Sequence, residues 1–127
     1  MADAEIIAVG SEMLTTQRLD TNSLFLTDQL NTLGVEVRRK LVIGDDRALL
    51  AAAARQALLN AEIVIFTGGL GPTEDDLTRE AVAEALGLPL VFQQDLNDAI
   101  EARFRRRQPQ FRRASAAAID TEPCTFQ

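Results

Sequence analysis

The sequence predicts a single α/β domain with a mostly parallel sheet and helices on both of its faces. Short apolar segments alternate with helical segments along the chain, which is the pattern of βαβ units. The 127 residues suffice for one domain of ordinary size. Six Phe and no Trp or Tyr are present, so the core must be built from Leu, Ile, Val and Ala. These three observations define the fold class before any motif is considered.

The predicted elements follow from apolar patterning. Four short segments rich in aliphatic residues are predicted to be strands, at residues 5–9, 35–43, 62–66 and 88–92. Four segments with helical character are predicted to be helices, at residues 21–33, 47–60, 78–86 and 94–107. Segment 62–66 is the most apolar strand, so we predict that it lies centrally in the sheet. Residues 1–107 are thus predicted to form the domain. Residues 108–127, with two prolines and no clear period, are predicted to be an irregular tail.

Capping residues mark the ends of the predicted helices. Asp20 and Thr21 are candidate N-caps of the first helix, and Gly34 follows its last turn. The turn Gly44-Asp45-Asp46 precedes the second helix and offers it an N-cap. Gly87 ends the third helix. These boundaries agree with the apolar pattern.

Composition argues against several classes of function. The net charge of -6 is unlike that of a general nucleic-acid binder, which usually carries a basic face. The absence of His, with a single Cys, excludes a classical zinc site and any catalytic triad that needs imidazole. The acidic start lacks the basic region of a signal peptide, and no apolar segment approaches membrane-spanning length. We therefore expect a cytoplasmic protein with no nucleic-acid or membrane partner.

The strongest functional signal is a glycine-rich loop that ends in acidic residues, Thr67-Gly68-Gly69-Leu70-Gly71-Pro72-Thr73-Glu74-Asp75-Asp76. Its glycines allow positive φ angles, and its consecutive amides can form an anion-binding nest. No Lys follows the glycines, so the loop is not a Walker A motif. A phosphate beside three carboxylates would be repelled unless a divalent cation lay between them. Alternatively, the acids favour the N-terminus of the following helix through its dipole.

Two further loops are predicted to meet this one, because the carboxyl ends of parallel strands share one edge of a sheet. Gly10-Ser11-Glu12 follows the first strand, and Glu12 is a candidate metal ligand or general base. Asp20 and Asn22 are candidate contacts for sugar hydroxyls or a base, although helix capping explains such residues equally well. In Gly44-Asp45-Asp46, one Asp is expected to cap the helix and the other to face a ligand.

Together these segments resemble a known family. Residues 10–14, 20–23, 44–46 and 67–78, in this order and spacing, resemble the N-terminal domain of CinA, the competence/damage-inducible family, within the MoaB/Mog molybdopterin-binding superfamily. The resemblance implies a three-layer α/β/α fold. For the CinA type it implies metal-assisted hydrolysis of the pyrophosphate of ADP-ribose to AMP and ribose 5-phosphate. In the molybdenum-cofactor relatives the same pocket binds molybdopterin and supports its adenylylation.

The resemblance also carries over individual residues. The functional aspartate of the relatives' loop corresponds to Asp76, and that of the second loop to Asp45. Relatives carry a basic residue at the position of Asp75, which favours the CinA type. Thr16 stands where the CinA type commonly has Gly, so the local turn differs. The family domain normally continues past residue 127, so we expect the C-terminal part of the fold to be incomplete.

The resulting hypothesis is a metal-dependent ADP-ribose hydrolase. Glu12, Asp75 and Asp76 would hold Mg²⁺, Mn²⁺ or Co²⁺ and position water. The candidate substrate-binding residues are Gly10, Ser11, Asp20, Asn22, Gly44, Asp45, Thr67, Gly68, Gly69, Leu70, Gly71, Pro72, Thr73 and Thr78. The alternatives are a molybdopterin- or nucleotide-binding domain without turnover, and an inactive fragment. Since relatives commonly form oligomers, the resemblance also implies a homo-oligomer.

Overall fold

The computed structural model describes residues 1–107, and the predicted tail at 108–127 lies outside the described residues. The strands are β1 (Asp3–Val9), β2 (Glu36–Ile43) and β3 (Ile63–Thr67). The helices are α1 (Thr21–Thr32), α2 (Arg47–Asn60), α3 (Thr78–Leu86) and α4 (Gln94–Arg107). A short 3₁₀ helix at Ser11–Leu14 follows β1. The predicted α/β fold is confirmed, and the helix bounds agree with prediction to within a residue.

The sheet within residues 1–107 has the order β2-β1-β3, and both pairings are parallel. Ile7 of β1 lies opposite Leu41 of β2 and Phe66 of β3. The prediction that segment 62–66 is central is therefore wrong, because β1 occupies that place. Ile6 and Ile7 in β1 are completely buried, one on each face of the sheet, whereas every residue of β3 keeps partial exposure.

The helices cover both faces of the sheet. The connection from β1 to β2 runs in one direction across the sheet, and the connection from β2 to β3 runs back past β1 in the other direction. Because such crossovers are right-handed, α1 and α2 lie on opposite faces. The core on the α2 side joins sheet residues to α2 and α3, and its buried members are Ile7, Val9, Ile43, Leu50, Ala51, Ala57 and Ala81. The aliphatic core that the composition predicted is thus present. No helix of residues 1–107 is long and apolar enough to cross a membrane.

The prediction of a fourth strand at residues 88–92 is wrong. Only Val91 in this segment has a strand-like pairing, an isolated bridge. The N–H of Leu88 donates to the Ala83 carbonyl at 3.0 Å and so closes the last turn of α3. The next residue, Pro89, has no N–H to contribute to a ladder. The segment therefore lacks two consecutive donors that a strand would need at its start.

Candidate functional site

Two loops at the carboxyl edge of the sheet are joined by a reciprocal pair of hydrogen bonds. The Ser11 N–H donates to Asp45 Oδ2 at 3.3 Å, and the Asp45 N–H donates to Ser11 Oγ at 2.9 Å. Asp46 caps α2, since its carboxylate accepts from the Leu49 N–H at 3.0 Å. One Asp therefore caps the helix, as predicted, while the other is bonded to the neighbouring loop. A Cβ on Gly44 would come within 3.1 Å of Ser11 Oγ, so the two loops pack closely.

The loop after β1 holds its acidic residue close to its own backbone. Gly10 has φ +147, and a Cβ there would lie 2.6 Å from Glu12 Oε1. The φ angle favours glycine at this position, and the Glu12 carboxylate lies over the turn in the space that a Cβ would take. That carboxylate accepts no hydrogen bond from any other residue in the 1–107 range, and its side chain is exposed. Glu12 is therefore available to a ligand.

The start of α1 contacts the end of β3. Asp20 caps α1 by accepting from the Ser23 N–H at 3.0 Å, so the helix-capping interpretation of Asp20 is the one that the structure supports. The neighbouring Asn22 Nδ2 donates to Thr67 Oγ1 at 3.3 Å. Asn22 and Thr67, both candidate substrate contacts, are thus brought together where β3 enters the glycine-rich loop.

The glycine-rich loop passes directly over the end of β1. Gly68 and Gly69 have φ angles of +89 and +64. A Cβ on Gly68 would collide with the carbonyl oxygen of Val9, and a Cβ on Gly69 would collide with the hydroxyl of Thr78. Two independent reasons therefore require glycine at both positions: the positive φ angle and the lack of space for a Cβ. This contact brings the third loop beside Gly10 and completes the predicted convergence at one edge.

Four consecutive loop carbonyls are held by the first two residues of α3. Thr78 Oγ1 donates to the Gly68 carbonyl at 2.7 Å, and the Thr78 N–H donates to the Gly69 carbonyl at 3.2 Å. The Arg79 guanidinium donates to the next two carbonyls, those of Leu70 at 2.7 Å and Gly71 at 3.0 Å. Thr78, a candidate substrate contact, is itself buried beneath the loop.

The hydrogen bonds from Thr78 to the Gly68 and Gly69 carbonyls fix the direction of the next two loop N–H groups. All peptide bonds in the described chain are trans, so each N–H points away from the preceding carbonyl. The N–H groups of Gly69 and Leu70 therefore point away from the start of α3. Neither amide donates to another residue in the part of the chain that the structure describes. Two adjacent unpaired amides are the kind of donors that bind an anion in a glycine-rich loop.

Asp76 organises the second half of the loop. Its Oδ2 accepts from the Thr73 N–H at 3.0 Å and from the Thr73 hydroxyl at 2.6 Å. Burial by itself would raise the pKa of this carboxyl, but that effect is outweighed by the lowering contributions taken together, of which the two Thr73 hydrogen bonds are the largest. The Gly71 amide and the Arg79 charge act in the same direction, so the pKa of Asp76 lies below its usual value. Asp76 is thus a charged residue that closes the loop.

The predicted metal ligands do not come together as a cation site. Across residues 1–107, no group of three or more Asp, Glu or Cys side chains is arranged to hold a metal ion. Asp76 is engaged with Thr73, the Glu12 carboxylate lies over Gly10, and Asp75 is exposed on the loop. The donor set therefore does not fit a resident Mg²⁺, Mn²⁺ or Co²⁺ ion held by these three carboxylates, and we derive no step through such an ion.

Arg79 binds two loop carbonyls, although no sequence motif identified it as a site residue. Its sequence signal is weak, because a basic residue in the first turn of a helix usually indicates only a solvated position. The unfavourable placement of a cation near the positive end of the helix dipole is the one hint that the sequence offers.

Fold and site together define an α/β domain with an amide-lined, acid-rimmed loop at the carboxyl edge of a parallel sheet. A family model described as a probable molybdopterin binding domain matches residues 5–123. The chain therefore belongs to this family. The resemblance inferred from the loop motifs is confirmed at this level.

Individual relatives agree with the family assignment. A CinA-like protein from Solibacter usitatus is 62% identical over 102 residues, which are 80% of this chain and 24% of the relative. The chain thus spans about a quarter of the length of this curated relative. The crystal structure of a CinA protein from Thermoplasma acidophilum matches with a TM-score of 0.77 and 34% identity, over 84% of this chain and 63% of that one. MoaB from Thermus thermophilus, a molybdopterin biosynthesis enzyme, shares the fold, with a TM-score of 0.64 and 22% identity over 87% of this chain and 69% of MoaB.

Proposed function

We propose that this domain binds a phosphorylated pterin of the molybdopterin class and does not itself turn it over. The observation that carries the proposal is the pair of unpaired amides at Gly69 and Leu70, which the captured carbonyls aim away from α3. Two adjacent N–H groups suit the oxygens of one phosphate. Membership of the molybdopterin-binding family supports a pterin as the rest of the ligand.

Glu12 is the residue we assign to the pterin ring. A pterin presents an amino group beside a ring N–H, and one carboxylate can accept from both donors. Glu12 is exposed and lies on the same edge as the loop. Its carboxylate accepts no hydrogen bond from any residue in the range 1–107. Asp45 and Asp76, by contrast, have fixed hydrogen-bond partners and hold the loops in place.

Hydrolysis of ADP-ribose, the first hypothesis from the sequence, stays a second proposal. It would require Glu12, Asp75 and Asp76 to gather around a divalent cation, and no group of three such side chains is arranged to hold one within residues 1–107. We therefore place ligand binding first and make the release of AMP an outcome of the same experiment.

The test is calorimetry of the whole 127-residue chain with three probes: a pterin monophosphate, the same pterin without phosphate, and ADP-ribose with Mg²⁺. We expect the phosphate to strengthen pterin binding by about ten-fold, a typical effect of hydrogen bonds to a charged group. We expect no AMP from ADP-ribose. Equal affinity for the two pterins would contradict the phosphate site, and AMP release would favour the hydrolase.

Glu12→Gln is expected to weaken binding of the pterin monophosphate by about ten-fold, because an amide cannot accept from both pterin donors. Affinity for inorganic phosphate should stay unchanged. Glu36→Gln is the matched control, since the Glu36 side chain is 59% exposed and lies at the start of β2, at the opposite edge. Equal loss of affinity for both probes in Glu12→Gln would contradict the assignment of Glu12 to the ring.

A further inference from the structure

We propose that Arg79 is a positioning residue that sets the ligand-binding shape of the glycine-rich loop without touching the ligand. This inference rests on the proposed binding function, which it deepens. Arg79 belongs to none of the motifs that indicated the site from the sequence. Arg79 would act through the backbone, by holding the carbonyls whose peptide planes decide where the loop amides point.

The guanidinium of Arg79 bridges two consecutive peptide groups of the loop. One terminal nitrogen of Arg79 donates to the Leu70 carbonyl at 2.7 Å, and the other donates to the Gly71 carbonyl at 3.0 Å. The guanidinium is planar and rigid, so the two carbonyls are held at a fixed separation. The peptide between Gly71 and Pro72 has no N–H, and its carbonyl is therefore the polar group by which it can be fixed.

Arg79 and Asp76 hold the loop from two sides. The Leu70 carbonyl faces Arg79, so the N–H of Gly71 in the same trans peptide points the opposite way, towards Asp76. A Cβ on Gly71 would lie 2.6 Å from Asp76 Oδ2, which shows how closely the carboxylate approaches this peptide. The positive charge of Arg79 also helps to keep Asp76 ionised. Arg79 and Asp76 therefore bind opposite sides of the same peptide, the one between Leu70 and Gly71.

The hydrogen bonds of Arg79 are directed at the loop. Among residues 1–107, its two terminal nitrogens have hydrogen-bond partners, and both partners are carbonyl oxygens of the glycine-rich loop. The Nε of Arg79 is buried and donates to no residue in the described part of the chain. The guanidinium therefore makes its protein contacts through the fork that holds the loop.

The test compares Arg79→Met, which keeps an apolar stem, and Arg79→Lys, which keeps the charge but loses the fork, in the whole chain. Two quantities are measured: amide hydrogen exchange at Thr73 without ligand, and affinity for the pterin monophosphate. We expect Arg79→Met to accelerate exchange and weaken binding by about ten-fold each, and Arg79→Lys to restore only part of both. Arg55→Met is the control, because the Arg55 side chain is 48% exposed and its one ion pair within residues 1–107 is with Glu84 at 3.6 Å.

Wild-type exchange at Thr73 in a folded Arg79→Met variant would overturn the inference. If Arg79→Met does not fold, Arg79→Lys decides, and wild-type exchange and affinity in that variant would overturn it equally. If the wild-type chain binds no pterin monophosphate, the proposed function fails. The exchange comparison, which needs no ligand, still decides the role of Arg79.

Discussion

Replacing Gly68 with Ala is expected to abolish binding of the pterin monophosphate and to lower the free energy of unfolding by about 2–4 kcal/mol. The new methyl group would meet the Val9 carbonyl oxygen, a backbone atom that cannot move without shifting the central strand. The φ angle of +89 adds conformational strain. Both quantities are measurable on the same sample, by urea denaturation and by calorimetry.

Gly34→Ala is the matched control for this substitution. Gly34 has a comparable φ of +79, but a Cβ there would meet no atom within 4 Å among residues 1–107, its two chain neighbours aside. We expect it to cost about 1–2 kcal/mol through backbone strain alone and to leave affinity unchanged. If the two variants lose equal stability and both keep wild-type binding, the close approach of the loop to β1 is not what shapes the site.

Asp76→Asn is expected to lower both stability and ligand affinity, because the charged carboxylate accepts both the N–H and the hydroxyl of Thr73. We expect a loss of about 1 kcal/mol in unfolding free energy, reduced from the value for buried charged hydrogen bonds because the loop is largely in solvent. Affinity for the pterin monophosphate should fall as well, since Arg79 would face an uncharged partner across the loop.

The contribution of Asp76 to stability is expected to depend on pH. The pKa of Asp76 is lowered in the folded chain from its usual value of 3.8. Its contribution to stability is therefore fully present above pH 3.8 and is lost as the pH falls through the lowered value. Asp76→Asn should lack this part of the acid profile. Asp28→Asn, a substitution on the exposed side of α1, should keep it. Identical acid profiles for wild type and Asp76→Asn would contradict the account.

The edge at which the loops meet could be predicted because topology alone decides it. Alternating strands and helices imply parallel strands, and parallel strands place their carboxyl ends together. The sequence thus anticipated the meeting of Gly10, Gly44 and Gly68 without any side-chain information. The helix ends were equally accessible, because Asp20 and Asp46 cap through local hydrogen bonds with residues three positions away.

The strand order could not be predicted from apolar content. Segment 62–66 is more uniformly apolar than β1, yet β1 is central because its small Ala residues and its two Ile side chains pack against both faces. The error at residues 88–92 has a different cause. Helix termination by Leu88 and the missing N–H of Pro89 remove strand donors, an effect that an apolar pattern does not reveal.

The roles of the acidic residues were the least predictable part of the site. The sequence favoured metal binding by Asp75 and Asp76 over a role at the N-terminus of the following helix, and it made Glu12 a candidate metal ligand or general base. Which of these applies depends on contacts between residues that are distant along the chain or on turns whose shape the sequence leaves open, such as the hydrogen bonds from Thr73 to Asp76. Arg79 was missed for the same reason, since its partners are carbonyl groups, which every residue possesses.

The most direct test of the central claim is a two-dimensional amide NMR spectrum of the whole chain, titrated with the pterin monophosphate. The account predicts that the largest shifts fall on the N–H groups of Gly69 and Leu70, and that they disappear in Gly68→Ala. Shifts at the opposite edge of the sheet, around Asp3 and Glu36, with none at Gly69 and Leu70, would contradict it.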